Sequence, residues 1–254
     1  MNHKKVAGEA FKQLGQTQLG QAVEMASASE LPTDKRIPND YLLRGQSPQE
    51  IVGAVTGWLR SHYSPPRPVA QPIIAETPTQ VRRALKSLGY RTDLLGLPRA
   101  LSREGKMVFF PQVVLELRSS VFERALAART LSHEYFHAAR IAPSKWTPVF
   151  VEEGMADFFA DLAVAQMLGG ADLQGYGYYR ERAEGAKALM AFLADDDEKV
   201  TETLLFQTRA EPDVLTFLTN WLRLKEVNDP DINAILFYTS VEAWRAVIRR
   251  VTGR

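Results

Sequence analysis

Apolar residues recur at helical spacing through most of the chain, and capping residues mark where the predicted helices begin. Ser47 and Thr77 each precede a proline and an amphipathic run, which is typical of a helix start. Ser120 and Glu123 form a capping-box pattern for a helix that we expect to end near Ala142. The later part of the chain is predicted to be all helical, in the runs "RAEGAKALMAFL", "PDVLTFLTNWLRL" and "PDINAILFYTSVEAWRAVIRRV".

Two short apolar runs between the second and third of these helices favour strands. The turn signal "SREG", residues 102–105, leads into "KMVFF", residues 106–110, which predicts a strand. The run "VVLEL", residues 113–117, is either a second strand or a continuation of the first beyond Pro111. The predicted fold class is therefore α+β, mostly helical, with a small sheet before the helix that starts at Val121.

The proline-rich stretch "SPPRPVAQP", residues 64–72, is the predicted boundary between two parts of the chain. Residues 1–46 are rich in Gln, Gly and Ser, so we expect a loosely ordered arm or a short helix over residues 5–14. Together with the helix after Ser47 they form an N-terminal arm, residues 1–63, for which a regulatory role is one hypothesis. The main domain is predicted over residues 64–254.

Composition restricts the partners and the chemistry. A formal net charge of +1 gives no electrostatic reason to expect nucleic acid or an anionic membrane as the main partner. The chain has no cysteine, which excludes a thiolate nucleophile and a cysteine-type zinc site. A basic start without a following apolar segment argues against a signal peptide, and no run approaches the roughly 20 residues that span a bilayer. We therefore expect a cytoplasmic protein of undetermined oligomeric state.

The candidate chemistry lies in "LSHEYFHAAR", residues 131–140. His133 and His137 are four residues apart, so on a helix they share one face with Cβ atoms about 5–6 Å apart. Two such imidazoles can both bind one zinc ion, and Glu134 would then be placed to take a proton from a zinc-bound water. The opposite face is apolar and can pack on the core; it comprises Ala128, Leu131, Tyr135, Ala138 and Ala142. The alternative is an ordinary helix that carries two histidines.

A third ligand has to be a carboxylate, because no histidine follows His137 and both earlier ones, His3 and His62, precede the proline-rich stretch. The candidates lie in "PVFVEEGMADFFADLAVAQML". This run predicts a helix that Thr147 caps and Gly169 ends.

Glu152 and Glu153 are adjacent, so on a helix they point about 100° apart and one of them is expected to face the metal. Glu153 has Asp157 four residues further on its own face, whereas Glu152 has Ala156 there. We therefore favour Glu153 as the ligand and expect Asp157 to accept the second ring N–H of a ligand histidine. Gly154 would let the histidine helix and this helix approach closely, or it is an unremarkable helix glycine.

The segment "HEYFH" followed by "PVFVEEGMADFF" resembles the gluzincin metallopeptidases, the clan that includes thermolysin and the zinc aminopeptidases. The resemblance covers residues of about 105 to 165. It implies a zincin-like metallopeptidase domain in residues 64–254. It implies that His133, His137 and Glu153 are zinc ligands and that Glu134 is the general base. Thermolysin-like members also have an aspartate four residues after the ligand glutamate, and Asp157 matches that position.

What the resemblance implies is a zinc-dependent peptidase that hydrolyses a protein or peptide substrate by Glu-assisted attack of a zinc-bound water. The short interval between His137 and Glu153 is closer to compact minimal gluzincins than to the large enzymes. The Gly-x-Met-Glu-Asn segment that zinc aminopeptidases use for the substrate amino terminus is absent, which favours an endopeptidase or a protease with one dedicated substrate. The alternative is a catalytically inactive gluzincin-fold binding or regulatory protein.

Two further features follow from the resemblance. The clan pairs extended substrate with an edge strand before the active-site helix, and "KMVFF" is the candidate; its alternative is a buried core strand. The clan also stabilises the oxyanion with a histidine or tyrosine. Since no histidine is left for this, the candidates are Tyr176, Tyr178, Tyr179, Tyr238, Arg180 and Arg182.

Overall fold

A computed structural model describes residues 37, 39–90, 98–141, 149–170, 173, 180–237 and 240–253 of the chain. Ile37–Arg254 is one compact unit. The short helix predicted over residues 5–14, and most of the predicted arm around it, lie outside the described residues.

The described residues are mostly helical and include one small sheet, so the predicted α+β class is confirmed. They contain ten α-helices: α1 Pro48–His62, α2 Pro78–Ser87, α3 Pro111–Leu117, α4 Val121–Ala138, α5 Val149–Met167, α6 Arg180–Leu193, α7 Glu198–Gln207, α8 Val214–Leu224, α9 Asp229–Phe237 and α10 Val241–Thr252. The three strands are β1 Ile73–Ile74, β2 Ala100–Arg103 and β3 Lys106–Phe109.

The predicted helix starts are confirmed by their capping hydrogen bonds. The Ser47 hydroxyl accepts from the backbone N–H of Glu50 at 3.3 Å. Thr77 and Ser120 each take part in a complete capping box. Such caps satisfy N–H groups that have no partner within the helix. The predicted cap at Thr147 lies outside the described residues, and α4 ends at Ala138 rather than near Ala142.

The sheet has the strand order β1-β3-β2. Strand β3 pairs in parallel with β1 and antiparallel with β2, so it is the central strand. The edge position proposed for "KMVFF" is therefore wrong, and its alternative as a buried core strand is confirmed. Met107, Val108 and Phe109 are fully buried, because helices cover this strand on both faces of the sheet.

The turn predicted at "SREG" joins β2 to β3. Glu104 and Gly105 both have positive φ, 51° and 79°, which suits the two-residue turn between the paired residues Arg103 and Lys106. A Cβ atom at Gly105 would lie 2.5 Å from the Pro68 carbonyl oxygen, so glycine is required there for space as well as for conformation.

A further sequence-based assignment, that of a strand, is wrong. The run "VVLEL" forms α3, because Pro111 at the first helical position starts a helix and a short apolar run has no distinctive period. The run from Pro230 onward is helical, as predicted, and contains two helices, α9 and α10. Ser240 caps α10 by accepting from the Ala243 N–H at 3.2 Å, which sets a new helix start.

One large hydrophobic core holds the main helices together. Helix α5 packs against α4 on one side and α6 on the other, and α4 also packs against the sheet. Helix α1 contributes to this same core through Ile51, Val52, Val55 and Leu59. The regulatory role suggested for residues 1–63 stays a prediction. In the part of the chain that the structure describes, none of the helices combines the length and the apolar character that crossing a bilayer needs.

Candidate metal centre

Helix α4 places its two histidines opposite its buried face. Leu131 and Tyr135 are buried in the core, as the apolar stripe predicts. The side chains of His133 and His137 are 14% and 18% exposed. The helix is thus anchored by one face and offers both imidazoles on the other, where a small molecule or ion can reach them.

Three donor groups from two helices converge beside α4. Nε2 of His133 and Nε2 of His137 lie 3.2 Å apart. The Glu153 carboxylate on α5 lies 3.4 Å from Nε2 of His133 and 3.6 Å from Nε2 of His137. These three residues form a group that could hold a metal ion.

The donor set fits a divalent metal in chemistry and in spacing. Ligands at about 2.0–2.2 Å from a tetrahedral zinc ion lie about 3.3–3.6 Å from one another, close to the distances among these three side chains. The Glu153 side chain is 31% exposed, so the group is open to solvent on one side. A structural zinc site closes its fourth position with a protein ligand, whereas a catalytic site leaves that position open.

The far nitrogen of the first imidazole is held by Asp157. Oδ1 of Asp157 lies 3.1 Å from Nδ1 of His133, and since a carboxylate only accepts, the ring N–H donates to it. In the neutral ring, which is the form that binds a metal, Nε2 then carries the lone pair. Arg129 binds the same Asp157 oxygen at 3.3 Å and donates from Nε to Asp161 at 2.6 Å. The contact predicted for Asp157 is therefore present in the structure.

The far nitrogen of the second imidazole is held by Glu152, for which the sequence analysis considered only the role of a rival ligand. Nδ1 of His137 donates to Oε1 of Glu152 at 3.1 Å. The buried Arg209 donates to both oxygens of Glu152, at 2.6 Å and 3.1 Å. Arg140 makes a longer contact of 3.4 Å to Oε2. The adjacent glutamates thus approach the histidines from different sides, as their 100° separation on the helix requires.

The electrostatics of this cluster favour positive charge at the His133 imidazole. Burial would lower the pKa of His133, but hydrogen bonds to Asp157 and Glu153 and the nearby Glu134 charge raise it to about 10. Burial would raise the pKa of Glu152, but Arg209 and His137 hold it well below its usual range. The Glu153 pKa is likewise lowered, against burial, by both histidines. Since carboxylates stabilise a proton here, they would also stabilise a bound cation.

Helix α6 closes the other side of α5. A Cβ atom at Gly154 would lie 2.8 Å from the Arg182 carbonyl oxygen and 3.2 Å from the Ala186 Cβ. The glycine therefore permits a close helix approach, but to α6 rather than to the histidine helix as the sequence suggested. Arg182 is half-buried, and its charge contributes to the low pKa of Glu153.

The remaining predicted site residues stand as follows. Glu134 is half-buried next to His133, and its charge acts on that ring. Of the candidate oxyanion stabilisers, Arg182 lies near Glu153 through the helix contact just described. The other candidates fall on residues whose side chains lie outside the described part of the chain: Tyr176, Tyr178, Tyr179, Arg180 and Tyr238.

Comparisons with known proteins leave the site to be interpreted from its own geometry. The chain matches no protein-family model, no curated protein and no solved structure.

Proposed function

We propose that this protein is a zinc-dependent metallopeptidase of the gluzincin type, acting as an endopeptidase on a protein or peptide substrate. The observation that carries the proposal is the convergence of Nε2 of His133, Nε2 of His137 and the Glu153 carboxylate at mutual distances of 3.2–3.6 Å, open to solvent and beside Glu134. Within the clan that the motif resembles, each of these positions has a role in hydrolysis.

The order of the elements supports a zincin-like fold as part of this proposal. A small sheet precedes α4, which carries the two histidines, and α5, which carries Glu153, packs against α4. Strand β2, at one edge of the described sheet, runs antiparallel to β3.

A zinc ion held by the three side chains would polarise a peptide carbonyl and lower the pKa of a water molecule toward neutrality. The protein's own residues do the rest. Asp157 and Glu152 accept the Nδ1–H of His133 and of His137, so that each ring presents Nε2 as its lone pair.

Glu134 is the proposed general base. Its carboxylate accepts a proton from the attacking water and passes that proton to the nitrogen of the leaving amine. An ordinary structural metal site has no need of a further carboxylate beside its first ligand. Among the candidates whose side chains the structure describes, Arg182 would stabilise the developing negative charge on the carbonyl oxygen.

The experiment uses the tag-free protein and its Glu134→Gln variant, a nearly isosteric control that keeps the three ligands. Zinc content is measured by elemental mass spectrometry, and cleavage of a proteome-derived peptide library is followed by mass spectrometry. We expect about one zinc per chain in both proteins, as a single three-residue ligand set requires. Cleavage is expected only in the wild type, and a chelator should abolish it until zinc is returned.

Two results would overturn the proposal. Equal cleavage by Glu134→Gln would remove the general base from the reaction. Absence of zinc from both proteins, even after the metal is added back, would remove the centre. Zinc without any cleavage would favour the alternative of a binding or regulatory protein.

A further inference from the structure

Arg209 is a fully buried arginine in the turn that follows α7. Its side chain is 0% exposed. A guanidinium is rarely buried without partners, because removing its charge from water is costly. The contacts that compensate for this cost therefore indicate what the residue does.

Those contacts hold the guanidinium in a single orientation. Nη1 and Nη2 donate to the two oxygens of Glu152 as a fork, and Nε donates to the Thr208 hydroxyl at 3.2 Å. The guanidinium carbon lies 3.9 Å from the centre of the ring of Phe136, the residue that precedes His137 in the chain. Two parallel hydrogen bonds and a stacked ring define the plane of the group as well as its position.

The same contacts connect the turn to the metal centre. Oε1 of Glu152 accepts from Nη1 of Arg209 and also from Nδ1 of His137, so one oxygen atom joins the arginine to the ligand. The main chain contributes as well, since the Ile141 N–H donates to the Arg209 carbonyl at 3.0 Å, just beyond the end of α4. Arg209 thus holds both a ligand's partner and the end of the ligand's helix.

We propose that Arg209 is a positioning residue of the metal centre: it fixes the plane of the Glu152 carboxylate, which in turn fixes the ring of His137 with Nε2 toward the metal. A glutamate side chain has three rotatable bonds, and an imidazole can turn about its own. Without the arginine fork, Glu152 keeps only the longer 3.4 Å contact from Arg140 and the bond from His137 itself, and a single long contact does not fix the plane of a carboxylate. The inference rests on the metal site of the proposed function but does not require peptide hydrolysis.

The experiment is a double-mutant cycle between residues 152 and 209 on the full-length protein. Zinc affinity is measured by chelator competition for the wild type, Glu152→Gln, Arg209→Met and the double variant. Bound Co²⁺ provides a visible spectrum that reports ligand geometry. The control is Arg124→Met on the same helix as the histidines, because Arg124 donates to the carbonyls of Leu43 and Gly45 rather than to the metal centre.

We expect Arg209→Met to raise the zinc Kd by about 10–100-fold and to change the Co²⁺ spectrum. In the Glu152→Gln background the same substitution should change the Kd by no more than about twofold, because the charged carboxylate that the fork orients toward His137 is already gone. Arg124→Met should lower the melting temperature of the metal-free protein and leave the zinc Kd unchanged.

Arg209→Lys keeps the test decisive where Arg209→Met does not fold. Lysine retains the charge but has no fork, so we expect a raised zinc Kd in a folded protein. An unchanged zinc Kd and Co²⁺ spectrum in either folded variant would overturn the inference. So would a double variant whose loss of zinc binding free energy equals the sum of the losses in the two single variants.

The outcomes separate this inference from the proposed function. If zinc binds and Arg209 controls its affinity but no peptide is cleaved, the positioning role stands and the peptidase proposal fails. If peptides are cleaved and the Arg209 variants bind zinc like the wild type, the peptidase proposal stands and the positioning role fails. A wild type that binds neither zinc nor Co²⁺ overturns both.

Discussion

Oδ1 of Asp157 lies 3.1 Å from Nδ1 of His133, on the side of the ring away from Glu153. The same oxygen lies 3.3 Å from Nη1 of Arg129, and the Asp157 side chain is almost fully buried. The carboxylate therefore lies between a ring that it orients and a cation that compensates its charge.

Replacing Asp157 with Asn tests this contact. The amide oxygen can still accept the ring N–H, but the charge that strengthens the bond is lost. We expect the zinc Kd to rise about 10–100-fold. Chelator competition measures it, with Asp161→Asn as the comparison, since Asp161 accepts from Nε of Arg129 at 2.6 Å. Equal zinc affinity in Asp157→Asn and the wild type would mean that the contact does not serve the metal.

Alanine at Glu153 and at Glu152 should have different effects. Glu153→Ala removes a proposed ligand, so we expect zinc stoichiometry near zero with the fold retained. Glu152→Ala leaves Arg209 buried without its carboxylate, which we expect to lower the free energy of unfolding by about 3–5 kcal/mol. Elemental analysis and urea unfolding of the metal-free proteins separate the two. Greater metal loss in Glu152→Ala than in Glu153→Ala, with both folded, would reverse the ligand assignment.

Metal removal should destabilise the protein. The proposed ligands come from two helices and would bind zinc together only in the folded state, so free zinc at 1,000 times its Kd should stabilise the fold by about 4 kcal/mol. For a chain of this size, that corresponds to a rise in melting temperature of about 8–16 °C. Calorimetry with and without a chelator measures it. Glu153→Ala is the matched control, and a zinc-dependent shift of equal size in that variant would show that the metal binds elsewhere.

Gly154→Ala should destabilise the packing of α5 on α6. The added methyl would lie 2.8 Å from a backbone carbonyl oxygen that cannot move independently. Overpacking of this kind costs about 1–3 kcal/mol. Gly57→Ala in α1 is the control, because its Cβ would meet nothing within 4 Å, and it should stabilise the helix by about 0.5–1 kcal/mol. Urea unfolding curves compare the two, and equal stability of both variants would contradict the close approach.

Local rules account for the parts of the site that could be predicted from sequence. The interval between His133 and His137 defines a shared helix face, and the Ser120 capping box places the start of α4. The i, i+4 relation between Glu153 and Asp157 also holds without knowledge of the tertiary structure. Each of these relations lies within a single helix, so the sequence of that helix is enough to predict it.

What could not be predicted depends on contacts between elements. Glu152 was treated as a rival of Glu153, because a helix wheel shows directions but not what lies in each direction. Arg209 contacts Glu152 across 57 residues, and no local pattern separates a buried arginine in a turn from an exposed one. The assignment of "VVLEL" failed for a related reason, since seven residues that start at a proline fit a helix or a strand equally well.

The separation of Arg209 from Glu152 also affects when the centre is completed during synthesis. A ribosome adds about 5–20 residues per second, so the 57 residues added after Glu152, up to and including Arg209, take about 3–11 s. During that interval the nascent chain already contains the proposed ligands and the general base but not the arginine that orients His137. On the proposed function, the metal centre would become ordered only after the segment beyond α7 has been made and has folded onto α4.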